Sequence, residues 1–550
     1  MARDGNTAII EQFLSDGITY MFGNPGTVEQ GFLDALEGFE DFHYILTLQE
    51  TVAAGIADGY ARATGGPALL QLHSGVGLGN AIGMLYQAKR GHSPLVVVAG
   101  EAGVGYDAMD AQMAADLVAM ARPVTKHAMR VIDPGSVLRV LRRAVKLAMT
   151  PPRGPVFVAL PLDVLDQPNH EPVQPSVVPH SAALPAPELV RRAAELLSGA
   201  RSPIILAGDG VSVSGAQAEL TRVAEQLGAD VWGVEFSEAN MDGRHPLFRG
   251  QLGHMFGQVS ADAVKDADAV LVVGTYLFPE VFPSLSSPFG KDARIVHIDL
   301  DSYEIAKNHP VTLGLVADPR LTLAALSAEL EGTLSRADRQ AAAARLARRT
   351  AAQQQRVGPA PAEDSILDAF MRELAARTPE DVIVFDEGLT ASGVIGSYFP
   401  PRGPGSWFLT RGGSLGVGIP GAIGAKLAHP DRTVIGFTGD GGSMYTFQAL
   451  ATAVRYDIAA KFVICNNHSY RLLDNNIEEY WRGRGIPGHR FPRSFDLSHP
   501  DLQFTDLARG CGVDGLRVEK ADQIEEAVER LLGHDGPFLI DLVTEPGRPL

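Results

Sequence analysis

The sequence predicts an α/β protein of three domains, each with a parallel sheet covered by helices, and three observations carry that prediction. Short uninterrupted apolar runs alternate with longer helical patterns, and an apolar strand without polar alternation belongs in a sheet buried on both faces. A chain of 550 residues is too long for one hydrophobic core. Two stretches dense in proline and polar residues, 166–188 and 356–364, divide it into segments of comparable length. The expected domains are therefore 1–180, 181–358 and 359–550.

In the first segment the strand signals are "ITYMFG" (18–23), "HYILTL" (43–48), "PALLQLHS" (67–74), "SPLVVVAG" (93–100) and "GPVFVALPLDV" (154–164). The stretch "DQPNHEPVQPSVVPHSAALPAPE" (166–188) reads as a linker. A second α/β unit follows, with strands at "RSPIILAGDG" (201–210), "DADAVLVVGTYL" (266–277) and "KDARIVHIDLD" (291–301). It closes in an Ala/Arg/Glu-rich helical stretch, 321–356, read as a solvated surface element. After "RVGPAPAED" (356–364) the third unit has strands at "DVIVFDEG" (381–388), "TVIGFTGD" (433–440), "KFVICNN" (461–467) and "PFLIDLVTE" (537–545).

Composition narrows the function. Hydrophobic residues are 45% and charged residues 20%, as in a compact water-soluble protein. A formal charge of −18 argues against nucleic acid and anionic membranes as partners, but permits an anionic small-molecule substrate in a pocket with its own donors. The two cysteines, Cys465 and Cys511, cannot make a disulfide framework or a four-thiolate zinc site, so a reducing, cytoplasmic setting is expected. No signal-peptide pattern opens the chain, and no run of about 18 uncharged apolar residues suggests a membrane span.

The chemistry concentrates in "GFTGDGGSMYTFQALATAVRYDIAAKFVICNNHSYRLLDNN" (436–476). A strand is expected to end at Phe437, with a glycine turn next and a helix from near Met444. Gly439, Gly441 and Gly442 allow close approach of a ligand. The amides around Gly442 and Ser443, backed by a helix N-terminus, suit a phosphate. No Gly-Lys-Ser/Thr follows, which separates this loop from a Walker loop. Asp440 adds a hard carboxylate, and the returning strand carries Asn467 towards the same sheet edge. With a backbone carbonyl near Ser469 and two phosphate oxygens, these approach an octahedral oxygen shell suited to Mg²⁺ rather than zinc. Either "GDG" or "NN" alone is an ordinary turn; their combination in this order points to one site.

That combination resembles the diphosphate-binding motif of thiamine-diphosphate enzymes. The chain more closely resembles their benzoylformate decarboxylase branch, with acetolactate-synthase-like features. The stretches that carry this are "FGNPGTVE" (22–29), "LQETVAAGIADGYARATGGPALLQLHSGVGLGNAIG" (48–83), "RGGSLGVGIPGAIGAKLAHPDRTVIGFTGDG" (411–441) and "CNNHSYRLL" (465–473). The resemblance implies a pyrimidine-binding domain, a central domain and a diphosphate-binding domain, in that order. It also implies thiamine diphosphate and Mg²⁺ as cofactors. The expected assembly is a homodimer with active sites at the subunit interface, paired again into a homotetramer. Some synthases of the family keep a non-redox flavin in the central domain; the short turns of that domain here show no strong dinucleotide signature, and the resemblance leaves the point open.

Residue by residue, the resemblance places Glu50 against N1′ of the aminopyrimidine, where it favours the imino tautomer that generates the C2 ylid. Read without that context, Glu50 is a helix-start residue. Leu415 would wedge the two rings into a V, and the Gly413 carbonyl would accept from the aminopyrimidine. Thr390 matches a diphosphate-contacting hydroxyl, although Leu389 stands where the family often has a second one. Asn24-Pro25-Gly26 forms a tight turn presenting Thr27, which matches a serine that holds the substrate carboxylate. His73 matches the first active-site histidine, and on residue type alone reads as a structural strand-end residue. Gly75, Gly77 and Gly79 leave space beside it. Two departures stand out: Val281 occupies the offset of a second, central-domain histidine, and Asn476 falls where an aromatic side chain would close the pocket. Arg471 either meets a second anionic group of the substrate or pairs with a surface acid; Leu472 lies beside it. The implied reaction is decarboxylation of a 2-oxo acid, including aryl-substituted ones, to an aldehyde and CO₂ through the ylid and an enamine. The alternatives are an acetolactate-synthase-like carboligase or 2-hydroxyacyl lyase sharing that enamine, and a catalytically silent member of the fold.

Overall fold

The computed structural model describes residues 3–234, 238–355 and 365–544. Its strands form three six-stranded sheets. The first contains β1 (Tyr20–Gly23), β2 (His43–Leu46), β3 (Ala68–His73), β4 (Leu95–Glu101), β5 (His127–Arg130) and β6 (Val156–Pro161), in the order β2-β1-β3-β4-β6-β5 and parallel throughout. The second contains β7 (Pro203–Ala207), β8 (Asp230–Val234), β9 (Phe248–Leu252), β10 (Ala269–Val273), β11 (Arg294–Asp299) and β12 (Leu313–Val316), in the order β12-β11-β10-β7-β8-β9. The third contains β13 (Ile383–Glu387), β14 (Trp407–Leu409), β15 (Val434–Gly439), β16 (Lys461–Asn466), β17 (Asp514–Val518) and β18 (Phe538–Val543), in the order β14-β13-β15-β16-β18-β17. By contact density, residues 1–179, 361–399 and 410–550 form one compact unit, and 180–360 with 400–409 form another.

The apolar runs behave as a doubly covered parallel sheet requires. In β10, Val270 and Val272 join one buried cluster while Ala269, Leu271 and Val273 join a second on the other face. The linker is irregular between Leu165 and Pro187 but firmly held at its start. The buried carboxylate of Glu171 accepts the backbone N–H groups of Leu138 and Arg139 at 2.9 and 3.1 Å, satisfying the open end of the helix Val137–Met149. The stretch 321–356 forms two helices, Pro319–Thr333 and Arg336–Gln355. The second is less fully solvated than its composition suggests. Arg345 donates to the carbonyls of Leu227 and Gly228, and Arg349 pairs with Asp230.

In the larger unit the helix Glu50–Thr64 lies directly on the helix Gly418–Ala428. A Cβ at Gly59 would strike the backbone of Gly421, and one at Gly424 would strike Ile56 and Tyr60. Glycine at these two positions lets the helix backbones touch, and this contact fixes the helix that begins at Glu50.

In the smaller unit, His297 on β11 is buried, with Nε2–H donating to the Thr275 carbonyl at 2.8 Å and Nδ1 accepting from Ala306 N–H at 3.4 Å. Both nitrogens are thus committed to the neutral ring, and burial pushes its pKa down to about 4. A folded pKa below the unfolded value of about 6.5 means that stability is lost as pH falls from about 6.5 towards 4. Between pH 7 and 5 the loss is about 2 kcal/mol. Thermal melts at those two pH values should therefore show a smaller acid shift for His297→Asn than for the unaltered protein.

Candidate active site

Two clusters of polar residues form at the carboxyl ends of the first and third sheets, the edge at which open α/β sheets bind ligands. In the first, Glu50 opens its helix and is buried, and Gln49 caps that helix by accepting from Thr51 and Val52. The Glu50 carboxylate is held from both sides: Asn24 donates to Oε1 at 3.2 Å and Asn80 to Oε2 at 2.8 Å. Asn24, expected along the substrate pocket, thus lies against Glu50. Asn80 was not anticipated. It lies on the helix Ser74–Arg90, three residues beyond Gly77 and on the same face, and Gly77 also abuts Glu50.

His73 ends β3, and Ser74, at φ +47°, turns the chain sharply into the next helix. Its Nδ1 lies 3.0 Å from Oε2 of Glu29, a buried residue absent from the expected site. Burial raises the Glu29 carboxyl above its usual range, opposed by His73 and by the amides of Gly100 and Gly26. Side chains at Gly26 and Gly100 would overlap His73 and Glu29 respectively, so both glycines make room for the pair. With Nδ1–H donated to Glu29, Nε2 is the nitrogen left to work. Thr27, in the same turn, is exposed.

The second cluster surrounds Asp440. β15 runs to Gly439, two residues beyond the expected end, and the helix expected near Met444 begins instead at Asp440 and lasts one turn, Asp440–Ser443. A series of i→i+3 turns follows, from Gly442–Tyr445 to Phe447–Leu450, before the helix Ala449–Arg455. The physical reason is the Gly441-Gly442 pair, which lets the chain turn inside the strand end, where the Tyr470 ring packs so closely that a Cβ at Gly441 would overlap it. Asp440 is buried; Oδ1 accepts Gly441 N–H at 2.9 Å, and Oδ2 makes no hydrogen bond. Burial pushes this carboxyl up to about 6, against the pull of the nearby His468 and Ser469 amides. Asn467 Oδ1 accepts Ser469 N–H at 3.0 Å, and Ser469 Oγ donates to Asp474 at 2.9 Å. Asp440 and the 468–469 backbone are therefore neighbours.

Glu387, at the end of β13, ties this cluster to the loop ahead of it. Its oxygens accept the N–H groups of Gly416 and Gly418 at 2.5 and 2.7 Å and the hydroxyl of Thr438 at 3.2 Å. Burial pushes the Glu387 carboxyl up to about 7, with those donors opposing. The loop so held carries Gly413, at φ +72°, and a half-buried Leu415. Thr390 is exposed in the turn Leu389–Ala391. Ser392 nearby donates to Asp386 at 2.9 Å.

Arg471, Leu472 and Asn476 all lie on the helix Arg471–Arg484. Arg471 Nε is 3.9 Å from the Asp474 carboxylate, a protein acid that is buried rather than on the surface as one of its two readings had it. Val281 belongs to the smaller unit and is 60% exposed. An open groove of about 760 Å³ beside Leu36, Phe39, His43 and Tyr456 contains none of the expected site residues.

The Asp440 cluster fits a phosphate-bound divalent ion. Its buried, unpartnered Oδ2 needs a cation or donor. Among the described residues no group of three or more His, Cys, Asp or Glu forms a cage, so a ligand's own oxygens would complete the shell, the usual arrangement for Mg²⁺. A Cβ at Gly439 would meet nothing, which leaves open space beside the carboxylate.

Three family models cover most of the chain. They are the N-terminal TPP binding domain (residues 3–120), the central domain (190–326) and the C-terminal TPP binding domain (390–542) of thiamine pyrophosphate enzymes. The chain belongs to the thiamine pyrophosphate enzyme family. Among its relatives is a benzoylformate decarboxylase of Pseudomonas aeruginosa, 33% identical over 99% of both chains. Another, "Probable acetolactate synthase large subunit" of Methanocaldococcus jannaschii, is 30% identical over 99% of this chain and 93% of its own length. The solved thiamine diphosphate-dependent 4-hydroxybenzoylformate decarboxylase of Rhodococcus jostii RHA1 matches with a TM-score of 0.84 at 28% identity, covering 99% of each chain. As a thiamine diphosphate-dependent enzyme related to decarboxylases and acetolactate synthases, the chain has its fold and its organic cofactor accounted for. No helix among the described residues is long and apolar enough to cross a membrane.

Proposed function

We propose that this enzyme decarboxylates a 2-oxo acid, aryl-substituted acids included, to an aldehyde and CO₂ with thiamine diphosphate and Mg²⁺. The observation that carries the reading is the Glu29–His73 pair, because release of an aldehyde requires a proton delivered to carbon. Glu29 holds the ring through Nδ1 and leaves Nε2 to move that proton. When bound, thiamine diphosphate supplies the sink for the electron pair left as CO₂ departs.

The chain's residues divide the remaining work. Asp440, Asn467 and the Ser469 carbonyl hold Mg²⁺. The amides of Gly441, Gly442 and Ser443, beside Gly439, receive the diphosphate together with the Thr390 hydroxyl. The Gly413 carbonyl and Leu415 set the attitude of the rings. Glu50, fixed by Asn24 and Asn80, exchanges a proton with the aminopyrimidine. The Thr27 hydroxyl positions the substrate carboxylate, and Leu472 and Asn476 border its side group, with Arg471 held towards Asp474. The segments 1–180, 181–358 and 359–550 then act as pyrimidine-binding, central and diphosphate-binding domains. Among the described residues no hydrogen bond joins Glu50 to Asp440, Asn467 or Ser469. The resemblance to the family supports a homodimer in which one copy's Glu50 serves the other's Asp440, and a tetramer of two such pairs. Two free cysteines suit a cytoplasmic setting.

A second reading, carboligase or 2-hydroxyacyl lyase, draws support from Val281: with no imidazole at that offset, fewer groups protonate the product and a second carbonyl compound gains time to react. Incubating a panel of 2-oxo acids with thiamine diphosphate and Mg²⁺ separates the two. CO₂ with stoichiometric aldehyde is expected. Acyloin as the main product, or cleavage of a 2-hydroxyacyl compound with no CO₂ from any 2-oxo acid, would give the reaction to the second reading.

A further inference from the structure

Asn467 is anchored by little of its own. Its side chain is half-buried and its Oδ1 is engaged by Ser469 N–H, two residues along the same loop. Its neighbours on either side, in contrast, belong to a closed circuit of hydrogen bonds. Asn466 Nδ2 donates to Asp541 at 3.0 Å. Arg517 Nη1 donates to the other oxygen of Asp541 at 3.2 Å, and its Nη2 reaches Asp501 at 3.0 Å. Asp501 Oδ1 lies 3.2 Å from His468 Nε2. His468 N–H returns to Asn466 Oδ1 at 3.3 Å, which closes the ring.

We propose that Asp501, Arg517 and Asp541, acting through Asn466 and His468, brace the loop 466–469 and so position Asn467 and the Ser469 carbonyl for the divalent ion. This rests on the reading of Asn467 and Ser469 as ion-holding groups; the brace residues are positioning residues that never touch the ion.

The elements involved explain why the brace is stiff. Asn466 ends β16, Asp541 lies on the adjacent β18, and Arg517 lies on the edge strand β17, so the ring spans three neighbouring strands. The Asp541 side chain is fully buried, and losing the guanidinium would leave an uncompensated carboxylate there. His468 sits at φ +56°, a conformation that costs a non-glycine residue roughly 1 kcal/mol or more. The contact with Asp501 holds it there. Thr544 N–H also donates to the Asn466 carbonyl at 2.8 Å, pinning the loop's first residue. Arg517 further bonds Glu519 at 2.8 Å, so its fork is fully used and a lysine could not reproduce it.

The test is equilibrium dialysis of thiamine diphosphate against the full-length protein over a series of Mg²⁺ concentrations. Groups that orient metal ligands typically govern 10–100-fold in metal affinity. Arg517→Met is therefore expected to raise the half-saturating Mg²⁺ by about tenfold or more. Turnover at saturating Mg²⁺ and cofactor should change far less than the half-saturation point. Asp501→Asn, on the exposed side of the ring, should shift it in the same direction. The double variant should be no worse than Arg517→Met alone, because both break one circuit. Asn467→Ala serves as the reference. If it leaves the half-saturation point unmoved, the ion-site reading itself fails and the brace with it. If Asn467→Ala raises it while Asp501→Asn and Arg517→Met stay within twofold of the unaltered protein, the brace is overturned and the site stands. Reduced melting temperature of the cofactor-free protein with no shift in Mg²⁺ dependence overturns it equally. Should Arg517→Met not fold, Asp501→Asn and His468→Ala decide the matter by the same criterion.

Discussion

Glu50→Gln is expected to slow exchange of the C2 proton of bound thiamine diphosphate by roughly 10²–10⁴-fold, the range for loss of a positioned acid–base group. The side chain is nearly isosteric, and the site is specific about what it loses. Asn24 and Asn80 each direct an amide N–H at one carboxylate oxygen. Glutamine satisfies one of them and presents its own NH₂ to the other, so one donor faces a donor. Its amide can donate a hydrogen bond to a pyrimidine nitrogen but cannot take up and give back a proton as a carboxyl group does. Both effects fall on proton transfer, whereas Asp440 and Asn467 lie in the other cluster and are untouched. Half-saturating Mg²⁺ should therefore stay within about twofold, and the cofactor-free melting temperature should move little. Proton NMR of cofactor released by acid quench after a timed D₂O pulse reads the exchange directly. Unaltered exchange in Glu50→Gln would remove Glu50 from the role proposed for it.

Much of this site could be read from the chain, and what was missed has a common physical origin. The nearness of Asp440 to the loop after Asn467 was legible because a strand, a glycine turn and a returning strand bring both to one sheet edge. Central strands were legible because burial on both faces forces them to be apolar, as in "LVVVAGE" and "AVLVV". Several edge strands, though not β2, escaped for the opposite reason. β5 ("HAMR"), β9 ("FRGQL") and β17 ("DGLRV") each leave a side towards solvent and carry polar residues that break the pattern. Arg517, the centre of the proposed brace, sits on one of them.

Glu29, Asn80 and Glu387 were missed because an isolated acid or amide has no periodicity; its partner is set by the fold. Glu29 ends one of the stretches that resemble the family, yet only the structure shows its carboxylate against His73. The misplaced helix start at Met444 has a local cause. Helical patterning looks for an apolar face, and a one-turn helix of Asp440-Gly441-Gly442-Ser443 has none.

Asp440→Asn is expected to separate binding from stability with opposite signs. Asparagine keeps an oxygen for Gly441 N–H and the same volume, but removes the charge that draws a divalent ion. Half-saturating Mg²⁺ for cofactor retention should rise by more than about 100-fold, above the range typical of groups that merely orient a ligand. The cofactor-free protein should at the same time become more stable at neutral and higher pH. Burial, with Oδ2 unpartnered, pushes the Asp440 carboxyl up to about 6. A folded pKa above the unfolded value of about 3.9 means that the folded chain holds this proton more tightly. Its contribution is therefore fully present below about pH 4 and is lost as pH rises through 6. By pH 8 that loss is at most about 3 kcal/mol. The asparagine variant avoids it, less whatever its NH₂ loses against the His468 and Ser469 amides, leaving an expected gain of about 1–2 kcal/mol at pH 8 that fades by pH 5. Melts of the two cofactor-free proteins at those pH values measure the difference. A gain that is absent at pH 8, or equal at both, would mean that the carboxylate is not strained in the way its surroundings imply. A gain confined to high pH, together with lost Mg²⁺ dependence, identifies Asp440 as a charge kept in an unfavourable place for the ion it receives.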